Sequence, residues 1–462
     1  MPELIELRDA ALEIFRAALR SADAGKAVRR AVRLDGSQLL INATNINLAA
    51  RRRNIYCVAI GKAAHAMAVA LEDVLGERLT AGLSAGLPPE MSRDQSAPVK
   101  YISSSLSNRW RIFAGGHPLP NEESLAAARA AFNLLRRADE ERALVIFLIS
   151  GGGSALLEWP RDEQRVTLEE LREANRILVG SGASIAEINA VRRAISVVKG
   201  GGLSARAPRA DQLSLIVSDT NTGEESNVAS GPTIEPPPDA PEADAVIARY
   251  ELAGHLPASI LNIISQPAVV RNESTGEALR KHYVLLTNED ALAAAAAAAR
   301  SRGFMVEIAS DIIEQEVGEG SAQLLERLTA TRPRATGTGH VVCLLSGGEF
   351  ACPVRGRGIG GRNSETALRL ALGIEERKES NASLSSHVVA LSAGTDGLDG
   401  NSPAAGALSD ETTLVRAQAL GLDAPQYLET SDAYTFFEAL GDSIVTGPTD
   451  TNVRDVRVLL AS

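Results

Sequence analysis

Cysteine is scarce here: Cys57, Cys343 and Cys352 are the only three in 462 residues. Their number is odd, their spacing fits no metal site, and two lie in apolar runs, so reduced, buried thiols of a cytoplasmic protein are expected. Cationic side chains are also short in supply. The 47 Lys and Arg are outnumbered by 58 Asp and Glu, for a formal charge of -11. That balance argues against a nucleic-acid partner, because counterion release needs clustered cations. No apolar run approaches the roughly 20 residues that span a bilayer, so no membrane partner is expected either. The opening MPELIELRDAALEIFRAALR sets Leu7, Ala11, Ile14 and Ala18 on a helical stripe and is no secretory signal. Three motifs are absent as well. Gly61-Lys62 lacks the earlier glycine and the following Ser or Thr of a Walker A loop, Ser150 has no GxSxG elbow, and the 396–400 turn lacks the EF-hand residues.

What is present is a globular composition, 45% hydrophobic and 23% charged, in a chain long enough for two domains. Apolar runs at 55–60 (IYCVAI), 143–149 (ALVIFLI), 213–217 and 387–393 read as buried strands that alternate with helical patterns, which is an α/β arrangement. Composition shifts at EPPPDAP (235–241) and at TRPRATGTGH (331–340). These breaks divide the chain into 1–235, a linker and intervening α/β segment at 236–340, and 341–462.

The most informative stretch is 344–370, LLSGGEFACPVRGRGIGGRNSETALRL, a strand, a turn at Gly347-Gly348-Glu349, a glycine run and a helix. Gly356, Gly358, Gly360 and Gly361 leave backbone N–H groups uncovered, with Arg355, Arg357 and Arg362 beside them. Such a loop suits an anion, held also by the helix N-terminus that Asn363 or Ser364 caps. A flexible surface turn is the plain alternative. Gly356, Gly358 and Gly361 also spell GxGxxG, yet no acidic residue stands about 20 positions on, so the dinucleotide match is weak.

Other strand ends carry chemistry too. Lys62 follows 55–60, Ser150-Gly151-Gly152-Gly153-Ser154 follows 143–149, Asp219 follows 213–217, and Thr395-Asp396-Gly397-Leu398-Asp399 follows 387–393. Each has an ordinary reading: a lysine starting a helix, a glycine turn, a capping aspartate. On the 185–199 helix Asn189, Arg192 and Ser196 share a face that is ordinary if solvated. His117 reads as structural or as a minor pocket group. Together, two carboxylates, a lysine, an arginine and glycine loops at strand ends are the parts of phosphoryl transfer, with Asp396 and Asp399 spaced to hold Mg²⁺.

The ordered blocks VAIGKAA (58–64), HPLPNEESLAAAR (117–129), SGGGSALL (150–157), LVGSGASIAEINAVRRAISVVKGGGL (178–203), VASGPT (228–233), SGGE (346–349), GIGGRNSETALRLAL (358–372), GTDGLDG (394–400) and TGPTDTNVRDV (446–456) resemble the glycerate 2-kinases. These are also called type II or MOFRL-family glycerate kinases and were formerly often labelled hydroxypyruvate reductases. The resemblance spans nearly the whole chain. It implies a Rossmann-like N-terminal domain with a parallel sheet flanked by helices, a smaller C-terminal α/β (MOFRL) domain, and an active site in the cleft between. It further implies transfer of the ATP γ-phosphate, with Mg²⁺, to the 2-hydroxyl of D-glycerate, and it is compatible with a homodimer.

By this resemblance the catalytic residues fall on Lys62, Asp219, Arg362 and Asp396. Asp219 is then the base and Asp396 with Asp399 the metal site, or the two aspartate roles are exchanged. Substrate and phosphates would meet Ser150, Gly152, Gly153, Ser154, Asn189, Gly347, Gly348, Glu349, Gly360, Gly361, Asn363, Thr395 and Gly397, with Arg192 or Lys199 for the glycerate carboxylate. The chain departs from the family where Thr220-Asn221-Thr222-Gly223-Glu224 replaces V-x-G-D, at Asn121, usually aspartate, and at Ser364, usually glutamine. Two rivals stand beside this reading: a nicotinamide-dependent reductase, resting on the formal GxGxxG, and a silent nucleotide-binding regulator, resting on the altered loop after Asp219.

Overall fold

The computed structural model describes residues 2–49, 54–87, 106–267, 278–336, 341–380 and 387–462, with 332–336 and 379–380 in backbone only. The described residues form two compact units, one of 2–23 with 287–462 and the other of 24–286. In chain order the helices are α1 (Leu4–Ser21), α2 (Ala24–Ala31), α3 (Ala64–Leu75), α4 (Glu122–Glu140), α5 (Gly153–Leu156), α6 (Leu168–Gly180), α7 (Ile185–Ile195), α8 (Ala243–Arg249), α9 (Ala258–Ile264), α10 (Asn288–Ser301), α11 (Val317–Thr336), α12 (Arg362–Ser380), α13 (Thr413–Ala419), α14 (Ala424–Glu429) and α15 (Ala433–Leu440).

The 24–286 unit opens with an antiparallel meander of β1 (Val32–Asp35), β2 (Gln38–Ile41) and β3 (Thr44–Asn47), which no apolar run announces. Its main sheet is wholly parallel: β4 (Ile55–Ile60), β5 (Leu79–Gly86), β6 (Trp110–Ala114), β7 (Leu144–Ile149), β8 (Asp211–Val217) and β9 (Arg280–Leu286), in the spatial order β6-β5-β4-β7-β8-β9. This is the doubly wound order in which the chain runs outward from the middle, returns, and runs outward on the other side. Tyr56, Val58 and Ile60 of β4, Val145 and Phe147 of β7, and Ala127, Ala131 and Leu135 of α4 share one buried cluster. The alternate residues of each strand point to the opposite face, so both strands are buried throughout. A separate apolar cluster ties α6, α7, α8 and α9 together.

The other unit carries a mixed sheet, β10 (Met305–Ile308), β11 (Val342–Ser346), β12 (Val388–Gly394), β13 (Gly406–Asp410), β14 (Ser443–Ile444) and β15 (Asp455–Ala461), in the order β10-β11-β15-β12-β13-β14. β15 is antiparallel to both neighbours, with Ser346 opposite Arg457 and Gly394 opposite Asp455. The C-terminal ends of β11 and β12 therefore flank the start of β15. Val342, Leu344, Ala390 and Leu459 pack with Leu324, Leu328, Leu370 and Ile374 of α11 and α12. On α1 the buried stripe is Leu7, Ala11, Ile14 and Ala18, as the sequence periodicity predicts. Arg8 of that helix pairs with Asp410 and Asp442, and Ser21 Oγ donates to Asp290 O at 3.4 Å.

The expected α/β fold is thus observed, a parallel doubly wound sheet and a second, mixed α/β unit. The divisions differ from those drawn on composition. The stretch 236–340 contains α8, α9, β9, α10, β10 and α11, and it is shared between the units because β9 pairs with β8 while β10 pairs with β11.

Candidate active site

The doubly wound order puts the chain reversal between β4 and β7, the place where such sheets open a crevice at their C-terminal edge. Gly61-Lys62 leaves β4 there and Ser150 to Ser154 leaves β7. The two turns are stitched together: Lys62 N donates to Gly151 O at 2.9 Å, Ser150 N to Ile60 O at 2.9 Å, and Ala63 N to Ser150 Oγ at 3.0 Å. Gly61 must be glycine, because its φ is +114° and a methyl group would lie 2.2 Å from Ser150 Oγ. At Gly152 a methyl group would lie 3.1 Å from both His117 Cδ2 and Lys62 Cγ, so the His117 ring stands beside Lys62 at this edge. Asp219 sits half-buried at the end of β8, the next strand over.

Behind these turns lies a buried polar network that the solvated reading of α7 does not anticipate. Ser154 Oγ meets Ser230 Oγ at 2.9 Å, Ser230 Oγ donates to Asn189 Oδ1 at 2.7 Å, and Asn189 Nδ2 reaches Asn227 Oδ1 at 3.3 Å. Asn189 and Ser196 are both buried, so the polar face of α7 looks inward. Lys199 is 1% exposed and forms an ion pair with Glu158, while its Nζ donates to Ser154 O at 3.0 Å. Burial lowers the Lys199 pKa and Glu158 offsets part of that. Arg192 differs: Nε donates to Asn175 Oδ1 at 2.9 Å, and its terminal nitrogens make no hydrogen bond among the described residues. Of the two cations expected to meet a carboxylate, Lys199 is already committed to one. Glu158 was missed by sequence reasoning; the signal was a lone carboxylate in the apolar run SALLEW.

The altered loop after Asp219 is bonded to itself. Ser218 Oγ lies 3.1 Å from Thr220 Oγ1, Thr220 Oγ1 donates to Glu224 O at 3.2 Å, and Gly223 N donates to Glu225 Oε1 at 2.9 Å. Asn121 caps α4, accepting from Ser124 N at 2.9 Å, and its amide donates to Ala114 O at 3.0 Å, a bond an ionised aspartate could not make.

In the other unit the ends of β11 and β12 and the start of β15 gather Glu349, Arg362, Asp396 and Asp455. Arg362 Nε donates to Asp455 Oδ2 at 2.6 Å, and Nη2 donates to Asp455 Oδ1 and Glu349 Oε1, both at 3.0 Å. Burial alone would lower the Arg362 pKa, but Asp455 and Glu349 outweigh it and lock the charge on. A methyl group on Gly394 would lie 3.1 Å from Asp396 Oδ1 and 3.5 Å from Asp455 Oδ1, so both carboxylates close on this one glycine. Thr395 Oγ1 donates to Arg454 O at 2.7 Å, and Gly348 N donates to Asn288 Oδ1 at 3.2 Å while Asn288 Nδ2 donates to Val453 O at 2.7 Å, so both turns are tied to the segment before β15, the second through the start of α10. A methyl group on Gly397 would lie 2.0 Å from Gly447 O, which places that glycine against the 446–449 segment.

The glycine run departs from expectation. Four successive N–H groups of the run are spent inside the protein: Gly358 on Thr430 O at 3.0 Å, Ile359 on Asp432 Oδ1 at 2.7 Å, Gly360 on Asn401 Oδ1 at 2.8 Å and Gly361 on Ser364 Oγ at 3.2 Å. The α12 N-terminus does hold an anion, but the anion is Asp399. That buried carboxylate accepts Asn363 N at 2.9 Å, Ser364 N at 2.8 Å and Ser364 Oγ at 2.6 Å. The glycines are there for close approach, since a methyl group on Gly361 would lie 2.4 Å from Asp399 Oδ1. Ser364 belongs to this cap. The formal GxGxxG is thus a packed loop; Gly356 itself lies where a methyl group would meet Thr430 O at 2.4 Å.

No three His, Cys, Asp or Glu side chains gather as a metal set among the described residues. Magnesium, however, takes one or two protein carboxylates and fills its shell with phosphate and water oxygens. Asp396, beside the glycine turns, fits that requirement, whereas both Asp399 oxygens serve the helix.

Asp455 is the functional candidate that the sequence did not single out. It is fully buried, and besides Arg362 it accepts Asn363 Nδ2 at 3.0 Å. Arg457, 1% exposed and stacked 3.5 Å over the Phe350 ring, lies behind it; burial lowers the Arg457 pKa to about 10 in spite of Asp455.

Comparison with known proteins is consistent across sequence and structure. Residues 10–265 match the model of a domain of unknown function, DUF4147, and residues 342–455 match the MOFRL family. A protein of Agrobacterium vitis named "Putative hydroxypyruvate reductase" is 34% identical over 99% of this chain and 95% of its own length. The "Glycerate 2-kinase" of Pyrococcus horikoshii is 30% identical over 99% and 98%. A crystal structure titled as a glycerate kinase of Thermotoga maritima superposes with a TM-score of 0.74 at 29% identity, over 99% of this chain and all of that one. With two family models in the expected order, full-length relatives and a shared fold, the chain belongs to the glycerate 2-kinase (MOFRL) family.

Proposed function

We propose that this protein is a glycerate 2-kinase, moving the γ-phosphoryl group of ATP, supplied as its Mg²⁺ complex, to the 2-hydroxyl of D-glycerate to give 2-phosphoglycerate and ADP. The observation that carries the reading is the β11/β12/β15 edge, where a charge-locked Arg362 faces glycine turns beside Asp396. Phosphoryl transfer asks little covalent chemistry of a protein and much fixed charge, because negative charge spreads over the transferring oxygens. Arg362 and Lys62 supply that charge. Asp219 accepts the proton of the attacking hydroxyl, and Asp396 would hold the Mg²⁺, which would supply positive charge against the phosphate oxygens. Arg192, with its terminal nitrogens uncommitted, takes the glycerate carboxylate, beside the Gly152 to Ser154 backbone. Lys199 and Asn189 keep that backbone in place from behind. Gly347, Gly348 and Thr395 shape the phosphate side, and Asp399 holds the end of α12 from which Arg362 projects.

The reductase reading loses most of its one support, because four successive N–H groups of the GxGxxG loop, from Gly358 to Gly361, are bonded inside the protein and are not offered to a pyrophosphate. A cytoplasmic location accords with three free cysteines, two of them buried, and no described helix is long and apolar enough to cross a membrane. The decisive experiment incubates purified protein with Mg-ATP and D-glycerate and resolves the product by phosphorus NMR. Formation of 2-phosphoglycerate is expected; absence of ADP, or NADH oxidation with hydroxypyruvate in its place, would sink the proposal. Light scattering on the same sample tests the homodimer.

A further inference from the structure

Arg362 has two usable edges. Its Nε/Nη2 edge is taken side-on by Asp455, and Nη2 also reaches Glu349; Nη1 makes no hydrogen bond among the described residues. The side chain keeps 30% of its surface exposed while Asp455 keeps none. A planar guanidinium pinned along one edge has its plane and its outer edge fixed, which a point charge such as lysine cannot reproduce. Asp455 in turn is immobilised: Asn363 Nδ2 donates to it, Arg457 Nη2 lies 3.6 Å from Oδ2, and its backbone carbonyl accepts Asn288 Nδ2 at 2.9 Å. That asparagine also accepts Gly348 N, so one side chain spans the β11 turn and the start of β15. Burying a carboxylate is a poor way to stabilise a core, since an apolar residue of similar size serves as well or better. Its placement against the one arginine of the cluster that reaches the surface calls for another account.

We infer that Asp455 is a positioning residue that sets the plane of Arg362, so that Nη1 and the outer side of Nη2 present to the phosphoryl group while Glu349 occupies the remaining contact in the free protein. The inference rests on the kinase reading. Asp455 is too buried to touch a substrate and acts only through the guanidinium.

The test is steady-state kinetics on four variants: D455N, R362K, R362A and the double R362A/D455N. Misdirecting a charge clamp typically costs on the order of 100-fold. D455N is expected to lower kcat by about that factor with little change in KM for glycerate. R362K is expected to fall with R362A, since the charge is kept and the side-on edge is lost. Adding D455N to R362A is expected to cost nothing more. Parental kcat in D455N, or a full second loss in the double variant, would overturn the positioning role. Should D455N fail to fold, as judged by its melt, R362K decides: parental turnover there overturns the inference. Parental turnover in R362A is a different failure, because it removes the kinase role of Arg362 itself.

Discussion

Of the two cations proposed for the substrate carboxylate, a third residue favours Arg192 over Lys199. Both are legible in the sequence as cations on one segment, and nothing in their spacing ranks them; Glu158, 41 positions before Lys199, does so by pairing with the lysine. Arg192→Ala should therefore raise KM for glycerate. Losing a charge-assisted hydrogen bond is worth about 1.5 to 3 kcal/mol, so a rise of roughly 10- to 100-fold is expected in initial-rate kinetics, with kcat less affected. Lys199→Met should instead lower stability by about 3 to 5 kcal/mol, because Glu158 would be left buried and unpaired, which a urea titration measures. Cys352 is the other residue whose behaviour the fold resets. Burial first, and then Glu365 at 3.2 Å, push its thiol up to about 12. A raised thiol stays protonated below that value, so iodoacetamide should label native protein at Cys352 far more slowly than unfolded protein up to about pH 10, as read by peptide mass spectrometry.

For elements, existence was easier to read than function. Strands β4, β7, β8, β11 and β12 are apolar runs and were legible as such; the meander β1 to β3 was not, since its short strands alternate buried with exposed residues. The glycine run before α12 shows why a site can be misread. Bare glycines look alike whether they leave room for a ligand or for a neighbouring segment, and only the distant residues Thr430, Asp432, Asn401 and Asp399 tell which. Asp399→Ala should remove the cap of α12, at a cost of about 1 to 2 kcal/mol, and should lower kcat as well, because Arg362 opens that helix. Chemical denaturation and turnover on one sample check both. At α7, Ser184 N–H and hydroxyl, with Tyr250 and Arg249, lower the Glu187 pKa. A lowered carboxylate stabilises the fold above the ordinary glutamate range and ceases to do so as pH falls through its folded value. The difference in melting temperature between the parent and Glu187→Gln should accordingly shrink between about pH 5 and pH 3.

At the scale of the molecule, the family and the α/β class were legible because many ordered blocks recur. The boundaries were not. Pro-rich composition marks a surface strap as readily as a border between units, and EPPPDAP lies within the 24–286 unit. Nor did any local signal show that residues 2–23 belong with 287–462. That assignment depends on contacts such as Arg8 with Asp410 and Thr451 Oγ1 with Ala22 O at 2.6 Å, which join positions more than 400 apart. Removing residues 2–23 should uncover the apolar surface that covers Leu7, Ile14 and Phe15, so the 287–462 unit should become the first target of limited proteolysis, while 24–286 resists.

A ribosome makes α1 long before β15, the strand at the middle of the mixed sheet. At about 5 to 20 residues per second, the opening helix waits on the order of 20 to 90 seconds for the sheet it belongs to, while the whole doubly wound unit is synthesised and can fold in between. During that interval its apolar stripe has no sheet to cover it.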